Sequence, residues 1–149
     1  MKILSIITNP NPILRKKSKN IKLEDIKNPI FSAFLKDFKA TMKEKDGVGL
    51  AAPQIGQNIR LIVVTDHDKE IIMINPEITK KSWKKTTEEE GCLSVPNFFG
   101  EVSRAKKINC QFLDNKGRLK KIQAKDFLAR VIQHEIDHLD GILFIDRIK

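Results

Sequence analysis

Apolar residues recur at every fourth position along the first third of the chain: Ile30, Phe34, Phe38 and Met42, with Ala33 and Leu35 beside them. That spacing predicts an amphipathic helix lying on a core. Asn28 followed by Pro29 supplies its start, because proline is pre-set for the first helical position. Lys45, Asp46 and Gly47 supply its end, where glycine breaks the period. A second helical pattern covers residues 125–139, with Phe127, Leu128, Val131, Ile132, Ile136 and Leu139 on its buried side and Asp140 and Gly141 ending it.

Between the helices the pattern changes to that of strands. Residues 60–65 (RLIVVT) and 71–75 (IIMIN) are β-branched and apolar, joined by a polar turn over 66–70, and Pro76 closes the second. Residues 107–113 and 119–124 flank Asn115, Lys116 and Gly117 and read as a hairpin. Residues 78–90 are polar and predict an edge strand, and a short extended piece surrounds Val102. Residues 1–20 are extended and turn-rich, with a first strand at the start, and 142–145 form a short closing strand. The segment GVGLAAPQIG (47–56) holds too much glycine and proline for a helix. No repeat or linker interrupts the chain. The expectation is one α+β domain over 1–149, with antiparallel and mixed sheets wrapped around a central C-terminal helix, plus an N-terminal helix.

Composition adds little to that picture. With 149 residues, 40% of them hydrophobic, the chain can build a sizeable core. No apolar run reaches the roughly 18 residues of a membrane span. The start lacks the features of a secretion signal, which fits a cytoplasmic protein with no membrane attachment. Two cysteines, Cys92 and Cys110, then read as free thiols or a metal ligand. Net charge is +9, from 28 Lys+Arg against 19 Asp+Glu. The lysines are scattered, without an arginine-rich stripe or an aromatic-plus-basic signature, so the excess reads as solubilising before it reads as a nucleic-acid or ribosomal contact.

The chemistry lies in the second helix. Residues 134–138 read HEIDH. His134 and His138 are one helical turn apart and share a face, so both imidazoles can reach one cation. Glu135 is about 100° further round and can act beside the cation as a general base on water. A catalytic metal needs a third protein ligand and an open position. Only Asp140 and Asp146 offer carboxylates after His138, so the third ligand is expected upstream. Cys92 is the strongest candidate: it sits in EGCLS (90–94), where Gly91 permits close backbone approach. Cys110, in an alternating strand, reads as a packing residue, and His67, in a polar turn, as a surface residue. The same H-E-x-x-H also occurs in zinc endopeptidases, which need a different third ligand, while a purely structural zinc would need four protein ligands.

GVGLAAPQ (47–54), EGCLS (90–94) and QHEIDH (133–138) together resemble the three signature motifs of the peptide deformylases, in the same order. Residues 10–15 and 128–144 are similar to that family as well, so the likeness spans nearly the whole chain. It implies a metal-dependent hydrolase that removes the N-formyl group from the formyl-methionine of nascent polypeptides, releasing formate. It implies Cys92, His134 and His138 as metal ligands and Glu135 as general base and later proton donor. Gln54 and the backbone N–H of Leu93 would then stabilise the oxyanion. Val48 and Gly49 would border the cleft, Phe127, Arg130, Val131 and His134 would surround the methionine pocket, and Glu90 would stand at the substrate side, paired with Arg104. The family typically carries Fe(II), with zinc or nickel as substitutes. A monomer with a transient ribosome contact is expected. The sequence departs from many relatives in how soon it stops after Phe144 and in Asn97, Phe98 and Phe99 near the substrate entrance.

Overall fold

The structure, a computed structural model, describes residues 1–148. Three helices are present: α1 (Leu23–Ile26), α2 (Pro29–Glu44) and α3 (Asp126–Leu139). Seven strands follow in chain order as β1 (Gly49–Ala51), β2 (Leu61–Asp66), β3 (Lys69–Lys81), β4 (Lys85–Cys92), β5 (Val95–Ala105), β6 (Lys107–Leu113) and β7 (Leu119–Lys125). Short 3-10 turns cover Pro12–Arg15, Ala52–Ile55 and Phe144–Arg147. The fold is α+β, as expected. One antiparallel sheet has the order β1-β2-β3-β6-β7, and β4 pairs with β5 as a separate ribbon.

Strand β2 explains why RLIVVT is apolar without alternation. Its Leu61 and Val63 face α2, packing with Leu35, Phe38 and Met42. Its Ile62 and Val64 face α3, packing with Val131, Ile132, Ile136 and Leu139. A strand covered on both faces needs apolar residues at every position. Each such side chain, once buried, contributes about 1.5–3 kcal/mol. The helix that carries HEIDH is therefore pressed onto the sheet through one face, which leaves its other face to build a site.

Several expectations are corrected. Asn28 caps α2 through its side chain, accepting from the Ile30 N–H at 2.9 Å, but Ile30 itself is 78% exposed, and Ala33 is exposed too. The apolar stripe starts instead at Phe31, which packs against the core and stacks with Phe34. Residues 1–8 form no strand. They run extended across the molecule, tied by the Ile7 N–H to the Gln54 carbonyl at 2.6 Å and by the Asn9 N–H to the Ser94 carbonyl at 2.8 Å. Pro76 does not end β3. A register shift between Ile74 and Glu77 absorbs the missing donor, and Asn75 adopts φ 51 there. The polar stretch 78–90 divides between the end of β3 and all but the last two residues of β4, and β5 is far longer than the piece around Val102. Residues 142–145 do not close as a strand; the Asp146 carboxylate accepts from the Leu143 N–H at 2.9 Å and bends the chain into a 3-10 turn. Among the described residues no helix is long and apolar enough to cross a membrane.

Candidate metal centre

Cys92 ends β4, and Leu93 and Ser94 form the two-residue turn into β5, with Cys92 paired to Val95. This tight turn aims the thiol at α3. There His134 and His138 stand one turn apart with ring centroids 5.2 Å apart. One donor atom from each of Cys92, His134 and His138 lies within 4.8 Å of the others, and Cys92 Sγ is 3.3 Å from His138 Nε2. Cys110 is buried in the sheet core, as expected, and burial pushes its thiol up to about 11. His67 is exposed at the tip of the β2–β3 turn.

The donor chemistry fits one divalent cation. The Nδ1 of His134 donates to Glu90 Oε1 at 2.9 Å, which leaves Nε2 to face the thiol. A histidine ligand held by a carboxylate in this way is a common arrangement around metals. His138 is kept neutral by burial, then by repulsion from His134 and Arg104, and a neutral imidazole is the ligating form. Burial alone would lower His134, yet hydrogen bonding to Cys92 and Glu90 and the charge of Glu135 push it up to about 10. These groups together call for positive charge at this point, which a cation would supply.

Glu90 has a demanding environment. Arg104 grips it through Nε at 2.6 Å and Nη2 at 2.9 Å, and Arg130 Nη1 donates at 2.6 Å. Burial would raise its carboxyl, but the hydrogen bonds from His134 and Arg104 outweigh that and hold it at about 2. The pairing with Arg104 expected from the sequence is present. Arg104 also donates to Asp137 Oδ2 at 2.9 Å, and Arg147 binds the same carboxylate through Nε at 2.6 Å and Nη2 at 3.0 Å. Asp137 and Arg147 carried no sequence signal, because the partners that define their role come from distant segments.

Glu135 is 4% exposed, and its Oε1 has no hydrogen-bond partner among the described residues. Burial raises it to about 7, against the pull of His134 and Arg104. A Cβ on Gly49 would stand 2.6 Å from Glu135 Oε2, so β1 approaches this carboxylate as closely as only glycine allows. Gln54 is 2% exposed. Its Oε1 accepts from the Ala51 N–H at 2.9 Å, which turns its NH2 toward Ser94 Oγ at 3.1 Å and Cys92 Sγ at 3.6 Å.

A cavity of about 450 Å³ opens beside these groups, and Val48, Gly49, Gln54, Leu93, Phe127 and Val131 are among its walls. Phe127, expected on the buried side of the helix, is instead 58% exposed and borders this cavity. Glu90 and Arg130 also border it, but the Arg130 guanidinium is spent on Glu90, on the Val102 carbonyl at 2.9 Å and on the Thr86 carbonyl at 2.7 Å. The neighbouring Phe98 and Phe99 are 49% and 64% exposed at the rim.

Comparison with known proteins agrees with this geometry. The family model for polypeptide deformylases matches residues 3–149. The peptide deformylase of Syntrophomonas wolfei is 47% identical over 147 residues, covering 99% of this chain and 94% of that protein. The crystal structure of the peptide deformylase of Thermotoga maritima superposes with a TM-score of 0.94 at 36% identity, covering 100% of this chain and 99% of that one. The Met-Ala-Ser-bound class I type b peptide deformylase of Acinetobacter baumannii superposes with a TM-score of 0.94 at 33% identity, covering 98% of each chain. A match of that length in sequence and in backbone places the chain in the polypeptide deformylase family, the metal-dependent hydrolases that remove the N-formyl group from the formyl-methionine of nascent polypeptides.

Proposed function

We propose that Cys92, His134 and His138 hold the catalytic cation of this deformylase and that Glu135 moves the proton. The observation that carries this reading is the convergence of one sulfur and two imidazoles within 4.8 Å, next to a buried carboxylate oxygen without a partner. A divalent cation in such a site supplies Lewis acidity, lowering the pKa of water and polarising a carbonyl.

Glu135, raised toward neutrality by burial, takes the proton of the attacking water and then delivers it to the amine nitrogen as the formyl C–N bond breaks. The Gln54 NH2 and the Leu93 backbone N–H donate to the oxygen that gains negative charge. A preorganised donor of this type is worth about 3 kcal/mol in the barrier. The Ala51 N–H fixes which end of the Gln54 amide faces the substrate. Val48, Phe127 and Val131 form the apolar seat for the methionine side chain, whose flexible thioether suits such a wall. Gly49 lets the peptide backbone and Glu135 come close together. Glu90 and Arg130 act through the wall they build and not by direct contact with substrate, since their charged ends are turned on each other.

We take Fe(II) as the native metal, with zinc or nickel able to replace it, because one thiolate and two imidazoles suit all three. We further propose that residues 1–149 work as one monomeric domain in the cytoplasm, on formyl-Met chains presented by the ribosome. The test is formate release from formyl-Met-Ala-Ser by anaerobically prepared, Fe(II)-loaded protein, with metal analysis of the same sample. Release that depends on Glu135 and scales with metal content is expected. Equal release by Glu135→Gln, or none by fully loaded protein, would overturn the assignment.

A further inference from the structure

We infer that the solvent-facing side of β3, β6 and β7, with Trp83 at its rim, is a docking surface for single-stranded RNA. Trp83 is 93% exposed in the turn between β3 and β4, and it is the chain's one tryptophan. A ring of that size is ordinarily largely buried, and tryptophan is enriched at interfaces, where its flat face supplies contact area. Lysines surround it. Lys80, Lys84 and Lys85 flank it in sequence, while the Ser82 N–H bonds to the Lys107 carbonyl at 2.9 Å and the Lys106 N–H to the Lys84 carbonyl at 3.0 Å.

The sheet continues the same surface. Ile108, Cys110 and Phe112 point into the core, so alternation turns Lys107, Asn109 and Gln111 to the other face. Their cross-strand partners are Lys125, Gln123 and Lys121, and Lys80 pairs with Asn109. Lys107 and Lys125 stand directly opposite each other, an arrangement that destabilises a sheet unless an anion answers it. Among the described residues the one lysine ion pair is Lys43–Glu70, so these charges are free. Of the nearby carboxylates, Glu77 on the same face accepts from Gln111 Nε2 at 3.4 Å, and neither it nor Asp126 pairs with a lysine. The sequence hid this surface because segments 80–85, 106–107 and 121–125 meet only in the fold.

The combination fits RNA better than a lipid surface. A single ring gives a stacking platform for a base, lysines neutralise phosphates, and the amides of Asn109 and Gln123 can pair with base edges. A membrane face needs a band of apolar residues. Here Trp83 and, on the Lys121–Lys125 face of β7, Leu119 stand exposed among lysines and amides, too few to form such a band. Lys85 starts β4 and Cys92 ends it, which separates this surface from the metal ligands by about 23 Å of extended chain.

The chain has one tryptophan and no tyrosine, so its emission reports Trp83 alone. Titrating the metal-loaded protein with an oligouridylate should quench that emission. Affinity should fall with salt along a log–log slope of roughly −0.7 per phosphate contact. The double variant Lys84→Glu, Lys107→Glu should shrink that slope by about 1.4 or more. Trp83→Ala, followed by anisotropy of labelled RNA, should weaken binding about fivefold or more. Formate release from a short formyl peptide should stay unchanged in all these variants. Absence of quenching, or wild-type binding by either variant, would overturn the inference. So would a response to phosphatidylserine vesicles without one to RNA, which would make the surface a lipid contact.

Discussion

His134 donates through Nδ1 to Glu90 Oε1 at 2.9 Å, while Glu90 is gripped from its other side by Arg104 and Arg130. One carboxylate thus sets the orientation of a proposed metal ligand and neutralises two buried guanidinium groups. Glu90→Gln keeps the shape and removes the charge. Metal affinity should drop about 10- to 100-fold, as it does when such a ligand-orienting partner is lost. Competition titration against a chromophoric chelator measures this. Stability should fall by about 3–5 kcal/mol, because two buried arginines lose their counter-charge, and urea unfolding reads that separately.

The same carboxylate gives the metal-free protein an acid limit. Glu90 titrates at about 2 when folded, below its ordinary 4.5, so the unfolded chain binds the proton more readily. Its stabilisation is complete above pH 4.5 and is lost as pH falls from there toward 2. Unfolding free energies measured across that window should slope downward with acidification, and the slope should be shallower in Glu90→Gln.

Glu135 sets the acid limb of activity. The reaction needs its carboxylate form, and burial raises it to about 7. A cation nearby draws the value lower again. Activity should therefore fall as pH decreases through a single ionisation at or below 7. Glu135→Gln should lose about 100-fold or more in kcat, keep its metal, and show no such limb in its residual rate.

Gly49 tests how tightly the general base is positioned. An added Cβ would meet Glu135 Oε2 at 2.6 Å, Glu135 Cγ at 2.9 Å and Val131 Cγ1 at 2.9 Å. Gly49→Ala should push the carboxylate aside and cost about 10- to 100-fold in kcat, with metal content unchanged. Steady-state kinetics and metal analysis on one preparation decide it.

What could be read in the sequence follows from how each element earns its pattern. Helix α2 buries one stripe, α3 carries one apolar stripe although nearly all of its residues from Ala129 onward are buried, and the hairpins β2–β3 and β6–β7 carry apolar runs or turn residues, so period and punctuation exposed them. The β4–β5 ribbon showed only in part, as a polar edge strand over 78–90 and a short piece around Val102, because its residues are mostly exposed and its register is set by pairing, not by an apolar face. Pro76 looked like a terminator because the bulge that accommodates it leaves no local mark. In the site, HEIDH and EGCLS named the groups that converge, since helical spacing and a glycine turn are local features. The Glu90–Arg104–Asp137–Arg147 chain joins four separate segments, and no spacing rule predicts it. Arg130 does border the cavity, as expected, but the ion pair that holds its guanidinium on Glu90 also joins distant segments.

All of this chemistry depends on a cation held by one sulfur and two imidazole nitrogens. X-ray absorption at the metal edge of the loaded protein tests it most directly. The prediction is one sulfur scatterer at about 2.3 Å with two imidazoles at about 2.0–2.1 Å in the zinc form, and loss of the sulfur shell together with tight binding in Cys92→Ser. A shell made only of nitrogen and oxygen, unchanged in Cys92→Ser, would contradict it.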